Sequence, residues 1–393
     1  MKWEKVKLGD CCASISDGDH QPPPKVKSGI PFVTISNISS SNQFDFCDTM
    51  FVPQKYYDKL DTKRKAQKND ILYSVVGSFG IPVLIKDNKP FVFQRHIAIL
   101  RPDSRVVFPK FLYYVMLSKE FYALADTVAV GAAQRTISLS ALRNIEISLP
   151  DIEKQKRIAS ILSAYDDLIE NNQRQIKLLE EAAQRLYREW FVDLRFPGYE
   201  HTPIVDGVPE GWERKRLGDI ADIVMGQSPK SEFYNQKKDG LPFHQGVGSY
   251  GYRFVTDDIF SSTFTRIATK GSILFSVRAP VGRMNYTRNR IAIGRGLAAI
   301  NSKTGLQSFL FYLLKDKYFK DDLIGNGSIF ASITKDELYG QIVIVPSPEL
   351  ANRFDEYAKS IDKKIELLDL QIKTLSEARD RLLPKLMSGE WEV

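Results

Sequence analysis

Apolar residues recur at alternating steps of four and three along residues 151–194, which is the spacing of a heptad repeat. Because no proline or glycine interrupts residues 151–194, the pattern predicts one helix, about 60 Å long for about 40 residues. Asp151, directly after Pro150, is the expected N-cap. We call this row of positions the first seam, and it consists of Ile158, Leu162, Tyr165, Ile169, Asn172, Ile176, Leu179, Ala183, Leu186 and Trp190.

A second seam follows 196 residues further on, within residues 347–393. Two matched seams favour packing of the helices against each other as an antiparallel coiled coil, although an amphipathic helix on its own globular core gives the same spacing. Asn172 stands where the second seam has Leu368, and such a polar residue either fixes the register or lies near solvent. The second seam consists of Phe354, Ala358, Ile361, Ile365, Leu368, Ile372, Leu375, Arg379, Leu382 and Leu386.

The two helices belong to a longer duplication. Trp3–Asp10 recurs as Trp212–Asp219, and Phe111–Tyr114 recurs as Phe309–Tyr312. A repeat of nearly 200 residues is too long for a solenoid, so it predicts two domains, each followed by its own helix.

Short apolar runs between turn residues predict strands in both copies, with short helices at Phe111–Leu117 and Phe309–Leu314. We therefore expect an α+β protein in which two similar mixed α/β domains are separated by two long antiparallel coiled-coil helices, with pseudo-twofold symmetry. The predicted boundaries are 1–150 (module 1), 151–194 (first helix), 195–208 (linker), 209–346 (module 2) and 347–393 (second helix). The predicted strands include Pro31–Ile35, Ile71–Val76, Ile97–Leu100, Ile145–Leu149, Ile273–Val277, Leu297–Ile300 and Ile342–Val345.

The formal charge alternates along these boundaries. It is +6 in residues 1–150, −2 in 151–193, +5 in 194–346 and −2 in 347–393. Basic modules suit a polyanion such as DNA, and the acidic helices suit protein contacts. Three cysteines without a CxxC pair fit a reducing cytoplasm rather than a disulfide framework or a zinc site. We expect no signal peptide, because the first ten residues, MKWEKVKLGD, contain no apolar segment, and no membrane helix, because the chain lacks an apolar run of about 18 residues.

Polar loops between the predicted strands carry side chains that suit DNA. Arginine and glutamine can read guanine and adenine edges, and serine, threonine, lysine and backbone N–H groups can bind phosphates. Each residue alone is also compatible with an ordinary solvated loop, and Arg95 and Arg295, which align between the copies, are interpreted as scaffold or phosphate contacts. The DNA-binding candidates are His20, Gln21, Gly77, Ser78, Arg95, His96, Gln134 and Arg135 in module 1, and Gln227, Ser228, Lys230, His244, Gln245, Arg278, Arg295 and Ser328 in module 2.

Motifs for catalysis are weak. Gly246–Gly251 matches GxGxxG but leads into a strand-like run, whereas dinucleotide binding needs a following helix. Gln21–Pro24 superficially resembles the Asp/Asn-Pro-Pro-aromatic motif of DNA amino-methyltransferases, but it lacks the first residue and the aromatic. The chain has no P-loop motif, and its four histidines show no metal-ligand spacing. We expect no catalytic residue and no bound metal in this chain.

Several segments resemble the specificity subunits of Type I restriction–modification systems. Val208–Ile220 is similar to the sequence that opens each module in that family, and Trp3–Asp10 is its first copy. Gln155, after Pro150, is similar to the start of the family's conserved helix, and Leu186–Asp193 to its end. The start of the second helix, Pro346-Ser347-Pro348-Glu349-Leu350, lacks the glutamine and departs from the pattern.

The resemblance implies two target recognition domains that each read one half of a split DNA target, with a spacer set by the helices. It implies docking of two methyltransferase subunits, which use S-adenosylmethionine to methylate adenine, and of ATP-dependent endonuclease subunits through them. S-adenosylmethionine, ATP and Mg would then belong to those partners. Two other readings are a fused restriction–methylation enzyme, which the missing catalytic motifs disfavour, and a dimerising transcriptional regulator, which the missing helix-turn-helix pattern disfavours.

Overall fold

The computed structural model describes residues 3–20, 23–39, 42–47, 49–132, 134–318 and 332–392. The chain forms two compact units. Unit 1 contains Met1–Asn171 and Ile372–Val393, and unit 2 contains Asn172–Gln371. Each unit therefore combines one module with one half of each long helix. The boundaries predicted from the sequence, which lie at the junctions between modules and helices, do not show this division of the helices. No helix in the described part of the chain is long and apolar enough to cross a membrane.

Module 1 contains one four-stranded antiparallel sheet in the order β2-β8-β5-β6, a three-stranded mixed sheet in the order β4-β3-β7, and the strand pair β1-β9. Its strands are β1 (Glu4–Lys7), β2 (Cys12–Asp17), β3 (Ile30–Val33), β4 (Met50–Val52), β5 (Ile71–Ser74), β6 (Pro82–Leu84), β7 (Val92–Phe93), β8 (Ile97–Pro102) and β9 (Glu146–Leu149). Its helices are α1 (Gln54–Lys59), α2 (Pro109–Leu117), α3 (Lys119–Val128) and α4 (Leu139–Asn144).

Module 2 repeats this topology, with two additional strands in its mixed sheet. The antiparallel sheet has the order β13-β21-β18-β19, the mixed sheet β14-β16-β15-β20-β17, and the strand pair is β12-β22. The first long helix, α5, spans Ile152–Phe191. The strands that follow are β10 (Ile204–Val205), β11 (Val208–Pro209), β12 (Glu213–Arg216), β13 (Ala221–Met225), β14 (Tyr234–Asn235), β15 (Leu241–His244), β16 (Phe260–Ser261), β17 (Ile267–Ala268), β18 (Ile273–Ser276), β19 (Met284–Tyr286), β20 (Ile291–Ile293), β21 (Leu297–Ser302) and β22 (Ile342–Val345). The helices are α6 (Leu217–Ile220), α7 (Gln307–Tyr318), α8 (Lys335–Tyr339) and the second long helix α9 (Pro348–Met387).

Both long helices are continuous over 40 residues, as the seams predict. The predicted N-cap of α5 is confirmed, because the Oδ1 atom of Asp151 accepts a 2.9 Å hydrogen bond from the backbone N–H of Lys154. Every seam residue is buried or half-buried. The spacing therefore identified the faces of α5 and α9 that are shielded from solvent.

Within each unit, the two helical segments run antiparallel. In unit 1, Ile158 and Leu162 of α5 share a hydrophobic cluster with Leu386 of α9. In unit 2, the rings of Tyr187 (α5) and Phe354 (α9) lie 5.6 Å apart. The buried side chain of Asn172 donates a 3.3 Å hydrogen bond to Gln371, so this polar seam residue is paired across the helices.

The predicted strands are present, with small shifts at their ends. The largest error is at Pro31–Ile35: the strand ends at Val33, and Ile35–Asn37 forms a 3-10 helix. Thr34 stops the strand because its backbone N–H bonds the side chain of Asn37 rather than a neighbouring strand. The GxGxxG segment forms a 3-10 turn at Val247–Ser249 followed by a β-bridge, which is not the strand–turn–helix of a dinucleotide site.

Candidate nucleic-acid interface

Four separate segments of module 1 meet at one edge of its sheets. The backbone N–H of Asp19 bonds Phe93, and that of Arg95 bonds back to Asp19. Gly77 donates a 3.0 Å backbone bond to Arg135. The predicted DNA-binding residues His20, Gly77, Ser78, Arg95, His96, Gln134 and Arg135 lie on these segments and are all exposed or half-exposed.

Gly18 makes the close approach of the first two segments possible. A Cβ atom at this position would lie 2.3 Å from the carbonyl oxygen of Phe93, so only glycine fits. The segment is also held by acidic side chains: Asp17 accepts from the Nε2 atom of His20 at 2.5 Å, and Asp19 accepts from the hydroxyl of Tyr56. This loop therefore has a fixed position beneath the candidate surface.

Two candidate side chains of module 1, Arg135 and His96, differ in how they can meet a phosphate or a base. Arg135 is paired with Asp126, 2.6 Å from its carboxylate, so DNA would have to compete with that ion pair. Partial burial, and then the neighbouring charge of Arg95, lower the pKa of His96. A neutral imidazole suits a base edge better than a phosphate.

Module 2 brings together the equivalent segments. The backbone N–H of Gln227 bonds Ile293, and that of Gly296 bonds Gln245. The hydroxyl of Ser228 accepts a 3.1 Å bond from the backbone N–H of Arg295. Gln227, Lys230, Gln245, Arg278 and Arg295 are all exposed, and Ser228 is half-exposed.

A small cavity of about 140 Å³ lies in the middle of this cluster. Gln245, Ser276, Arg278 and Gly296 are among its lining residues. Arg278 forms no salt bridge with any residue that the structure describes, in contrast to Arg135 of module 1. Arg278 and Gln245 together offer guanidinium and amide groups at a concave surface, as base reading in the major groove requires.

His244 is buried, whereas a residue that reads DNA bases must be accessible from the surface. It is 1% exposed, and its ring contacts the hydroxyl of Ser249 at 2.8 Å and the carboxylate of Asp257 at 3.0 Å. The matching position in module 1 is Val33, since both residues pair in parallel with the next strand of the mixed sheet. Alignment of the two copies could have shown this, because Val33 is apolar. We therefore leave His244 out of the proposed surface.

Gln21 and Ser328, also predicted to contact DNA, lie outside the described residues. Arg95 and Arg295 occupy equivalent exposed positions in the two modules, so the structure keeps open their interpretation as phosphate contacts. Among the described residues, no group of three or more His, Cys, Asp or Glu side chains is placed to hold a metal ion.

The two clusters are built on the same backbone hydrogen bonds. The N–H groups of Gly18 and Gly226 bond Ile97 and Leu297, respectively. Three further matched pairs follow, namely Asp19–Phe93 and Gln227–Ile293, Val75–His96 and Val277–Gly296, and Ile137–Val75 and Ile333–Val277. The backbone is therefore shared, whereas the side chains it presents differ: aspartate and histidine in module 1 give way to glutamine and serine in module 2.

Comparison with known proteins gives a family for this architecture. The profile of the family described as "Type I restriction modification DNA specificity domain" matches residues 1–181 and again residues 209–375, one match for each module with most of its helix. This chain belongs to that family. It is a specificity subunit of a Type I restriction–modification system, and the sequence-based assignment is confirmed.

Two of the similar proteins align with this chain over nearly their whole length. The "Putative type I restriction enzyme MjaX specificity subunit" of Methanocaldococcus jannaschii is 30% identical, over 100% of this chain and 94% of its own. The type I restriction enzyme HindI specificity subunit of Haemophilus influenzae is 26% identical, over 99% of both chains. The crystal structure of the S subunit from M. genitalium has a TM-score of 0.59 at 19% identity and covers 98% of this chain and 96% of its own, which shows the shared fold.

Proposed function

We propose that each module of this specificity subunit reads one half of a bipartite DNA target through its loop cluster. The observation that carries the proposal is the shared set of backbone hydrogen bonds beneath different side chains. A common backbone places both clusters in the same way on a duplex, and different side chains select different bases. The positive charge of both modules supplies the attraction to phosphates that does not depend on sequence.

We further propose that the long helices set the spacer between the half-sites and carry the contacts to two methyltransferase subunits. Their continuity over 40 residues and the net charge of −2 in each of residues 151–193 and 347–393 support this role. S-adenosylmethionine, ATP and Mg are then bound by the methyltransferase subunits and the endonuclease subunits that join through them, and this chain contributes specificity rather than chemistry.

Replacement of module 1 by a related module tests the reading of separate half-sites. Methylated positions would be mapped across the genome of a strain that carries the system. We expect one half of the methylated motif to change while the other half and the spacer are retained. A change of both halves together would contradict independent reading. Lengthening both helices by one heptad should alter the spacer and leave both half-sites unchanged.

Single substitutions test the clusters. Arg278→Ala should weaken binding of the assembled complex to its target about tenfold or more, corresponding to about 1–3 kcal/mol, and relax one base position. Arg295→Ala should weaken binding to all sequences alike. It should also lower the slope of log affinity against log salt concentration by about one, because one phosphate contact is lost. Arg214→Ala, an exposed change on β12, is the control. An unchanged motif for Arg278→Ala would exclude it from base reading.

A further inference from the structure

Arg253 of module 2 is a fully buried cation that belongs to no loop of the candidate interface. It lies between Tyr250 and Val255, which form a β-bridge, and is 2% exposed. Its guanidinium lies 3.7 Å from the centre of the Phe311 ring. An arginine sealed in this way must be compensated by nearby carboxylates, because burial of an unpaired charge is very unfavourable.

The compensation comes from both long helices. The Nη1 atom of Arg253 lies 3.1 Å from Glu180 of α5, and the Nη2 atom lies 2.6 Å from Asp362 of α9. One side chain of the module therefore binds both helical segments of unit 2. The planar, rigid guanidinium fixes the directions of both contacts, which a lysine with its flexible stem would not do.

Asp362 is itself tightly enclosed. The hydroxyl of Ser308 donates to it at 2.7 Å, and that of Tyr312 at 3.1 Å. Both residues belong to α7 of the same module. With Arg253, three groups of module 2 thus converge on one carboxylate of α9.

Unit 1 contains the equivalent aspartate but a different arginine. Asp166, 196 positions before Asp362, accepts a 2.5 Å hydrogen bond from the hydroxyl of Tyr114 of module 1. Its cation is Arg379, 2.7 Å away, which belongs to α9 and not to the module. In unit 2, the position that matches Arg379 is Ala183, a buried alanine of α5.

The hairpins that reach toward the helices also differ. In module 1 the hairpin after the 3-10 turn Ile35–Asn37 presents Asn42, which is hydrogen bonded to Tyr113. In module 2 the hairpin after the 3-10 turn Val247–Ser249 presents Arg253. The arginine that pairs with the matched aspartate thus comes from a long helix in unit 1 and from the module in unit 2.

We propose that Arg253 is a positioning residue for target recognition: it fixes the placement of module 2 on both helices and thereby limits the spacer lengths that the complex accepts. This inference rests on the proposed reading of two half-sites. Each base pair of spacer adds about 3.4 Å along the duplex, so a module free to shift by a few ångströms would accept more than one spacer. Arg253 acts on the distance between half-sites and not on their bases.

The test uses the full system in cells with Arg253→Lys and Arg253→Met variants, read by mapping methylated positions across the genome. We expect the bases of both half-sites to be unchanged, and sites with spacers one base pair longer or shorter to rise at least fivefold in methylated fraction. Arg214→Met, exposed on β12, is the control and should keep the wild-type spacer.

A second variant separates positioning from charge compensation. Arg253→Met combined with Ala183→Arg supplies the cation from the helix, as in unit 1. We expect this chain to regain the wild-type thermal midpoint while it still methylates sites of altered spacing. If any folded variant kept the wild-type spacer, or if all three failed to accumulate as soluble protein, Arg253 would be a stability residue only and the inference would be overturned. Wild-type methylation without a bipartite motif would instead contradict the proposed function.

Discussion

The two units contain the same aspartate–tyrosine pair but differ in exposure around it. In unit 1, Arg379 beside Asp166 keeps 23% of its side chain exposed. In unit 2, Arg253 beside Asp362 keeps 2%. Burial alone would lower the pKa of the Arg253 guanidinium, but the Asp362 carboxylate and neighbouring groups raise it overall.

This difference shows that a duplicated fold can retain an acceptor and change its donor. Asp166 and Asp362 occupy matched positions, whereas their cations come from different elements. A half-exposed ion pair adds little stability, because water competes with it. A buried pair contributes geometry, and its disruption is costly because one charge is left without a partner. The stability of unit 2 should therefore depend on the Arg253–Asp362 pair more than the stability of unit 1 depends on the Arg379–Asp166 pair.

The comparison is tested most strongly by Asp362→Asn beside Asp166→Asn. The first change leaves Arg253 buried with one carboxylate in place of two, and we expect a loss of about 3 kcal/mol in stability. The second leaves an arginine that reaches water, and we expect a loss of about 1 kcal/mol. Denaturant unfolding of the full chain, with hydrogen exchange to follow each unit separately, measures both. Equal losses of stability in the two units would contradict the expected difference between a buried and a partly exposed ion pair.

The units also differ in how the long helices supply a hydrogen-bond acceptor for a backbone N–H group at the start of the neighbouring module helix. In unit 1, buried Gln155 accepts from the backbone N–H of Phe108 at 2.8 Å and donates to Pro150 at 2.9 Å. In unit 2, Asp355 accepts from the N–H of Phe309 at 2.9 Å. These N–H groups lie at helix starts and have no partner within their helices.

Gln155→Glu would place a carboxylate against carbonyl oxygens. We expect a loss of about 2 kcal/mol at neutral pH, because the bonds that Gln155 donates to Pro150 and, at 3.4 Å, to the carbonyl oxygen of Val106 become repulsive contacts. The new carboxyl should have a raised pKa when folded, so the loss should shrink as the pH falls from that folded pKa toward the unfolded value of about 4.3. Unfolding between pH 4 and 7 measures this. Gln173→Glu, on an exposed position of α5, should show no such pH dependence.

Asp355→Asn should act in the opposite direction. Burial raises the pKa of Asp355, and the hydrogen bond from Phe309 and the charge of Lys359 offset this only in part. A carboxylate with a raised folded pKa lowers stability as the pH rises through its unfolded and folded pKa values. Asparagine retains an acceptor for Phe309 without that charge. We expect a gain of about 1 kcal/mol at pH 7 that disappears near pH 4; parallel pH profiles of the two chains would contradict it.

An effect as small as that of Asp355→Asn is expected at the seam residue Asn172, whose counterpart in the second seam is Leu368. Asn172 is 7% exposed and bonds Gln371. Asn172→Leu should stabilise unit 2 by about 1 kcal/mol and remove the polar contact between the helices. The thermal midpoint measures the gain, and Ser160→Leu on an exposed position of α5 is the control. A lower midpoint for Asn172→Leu would show that its hydrogen bond outweighs apolar packing.

Much of the candidate interface could be predicted, because loops between matched strands are visible in the duplication. His244 could not be recognised from its residue type, since histidine occurs both in loops and in buried hydrogen-bond networks. Asp355 was also hidden: the second helix lacks the glutamine at its start, but a carboxylate one turn later accepts from a different N–H group in the first turn of α7. Residue type at one position is a poor guide when a neighbouring position can supply the same atom.

The two modules, the two continuous helices and the residues of both seams could all be read from the amino-acid sequence alone. These features follow from periodicity and repetition, which depend only on local spacing along the chain. The tertiary structure decided which charges meet: Arg253 and Glu180 are 73 positions apart in sequence, and Arg253 and Asp362 are 109 apart. No spacing rule links such residues. Their pairing follows from the requirement that a buried charge find partners wherever the packed elements place them.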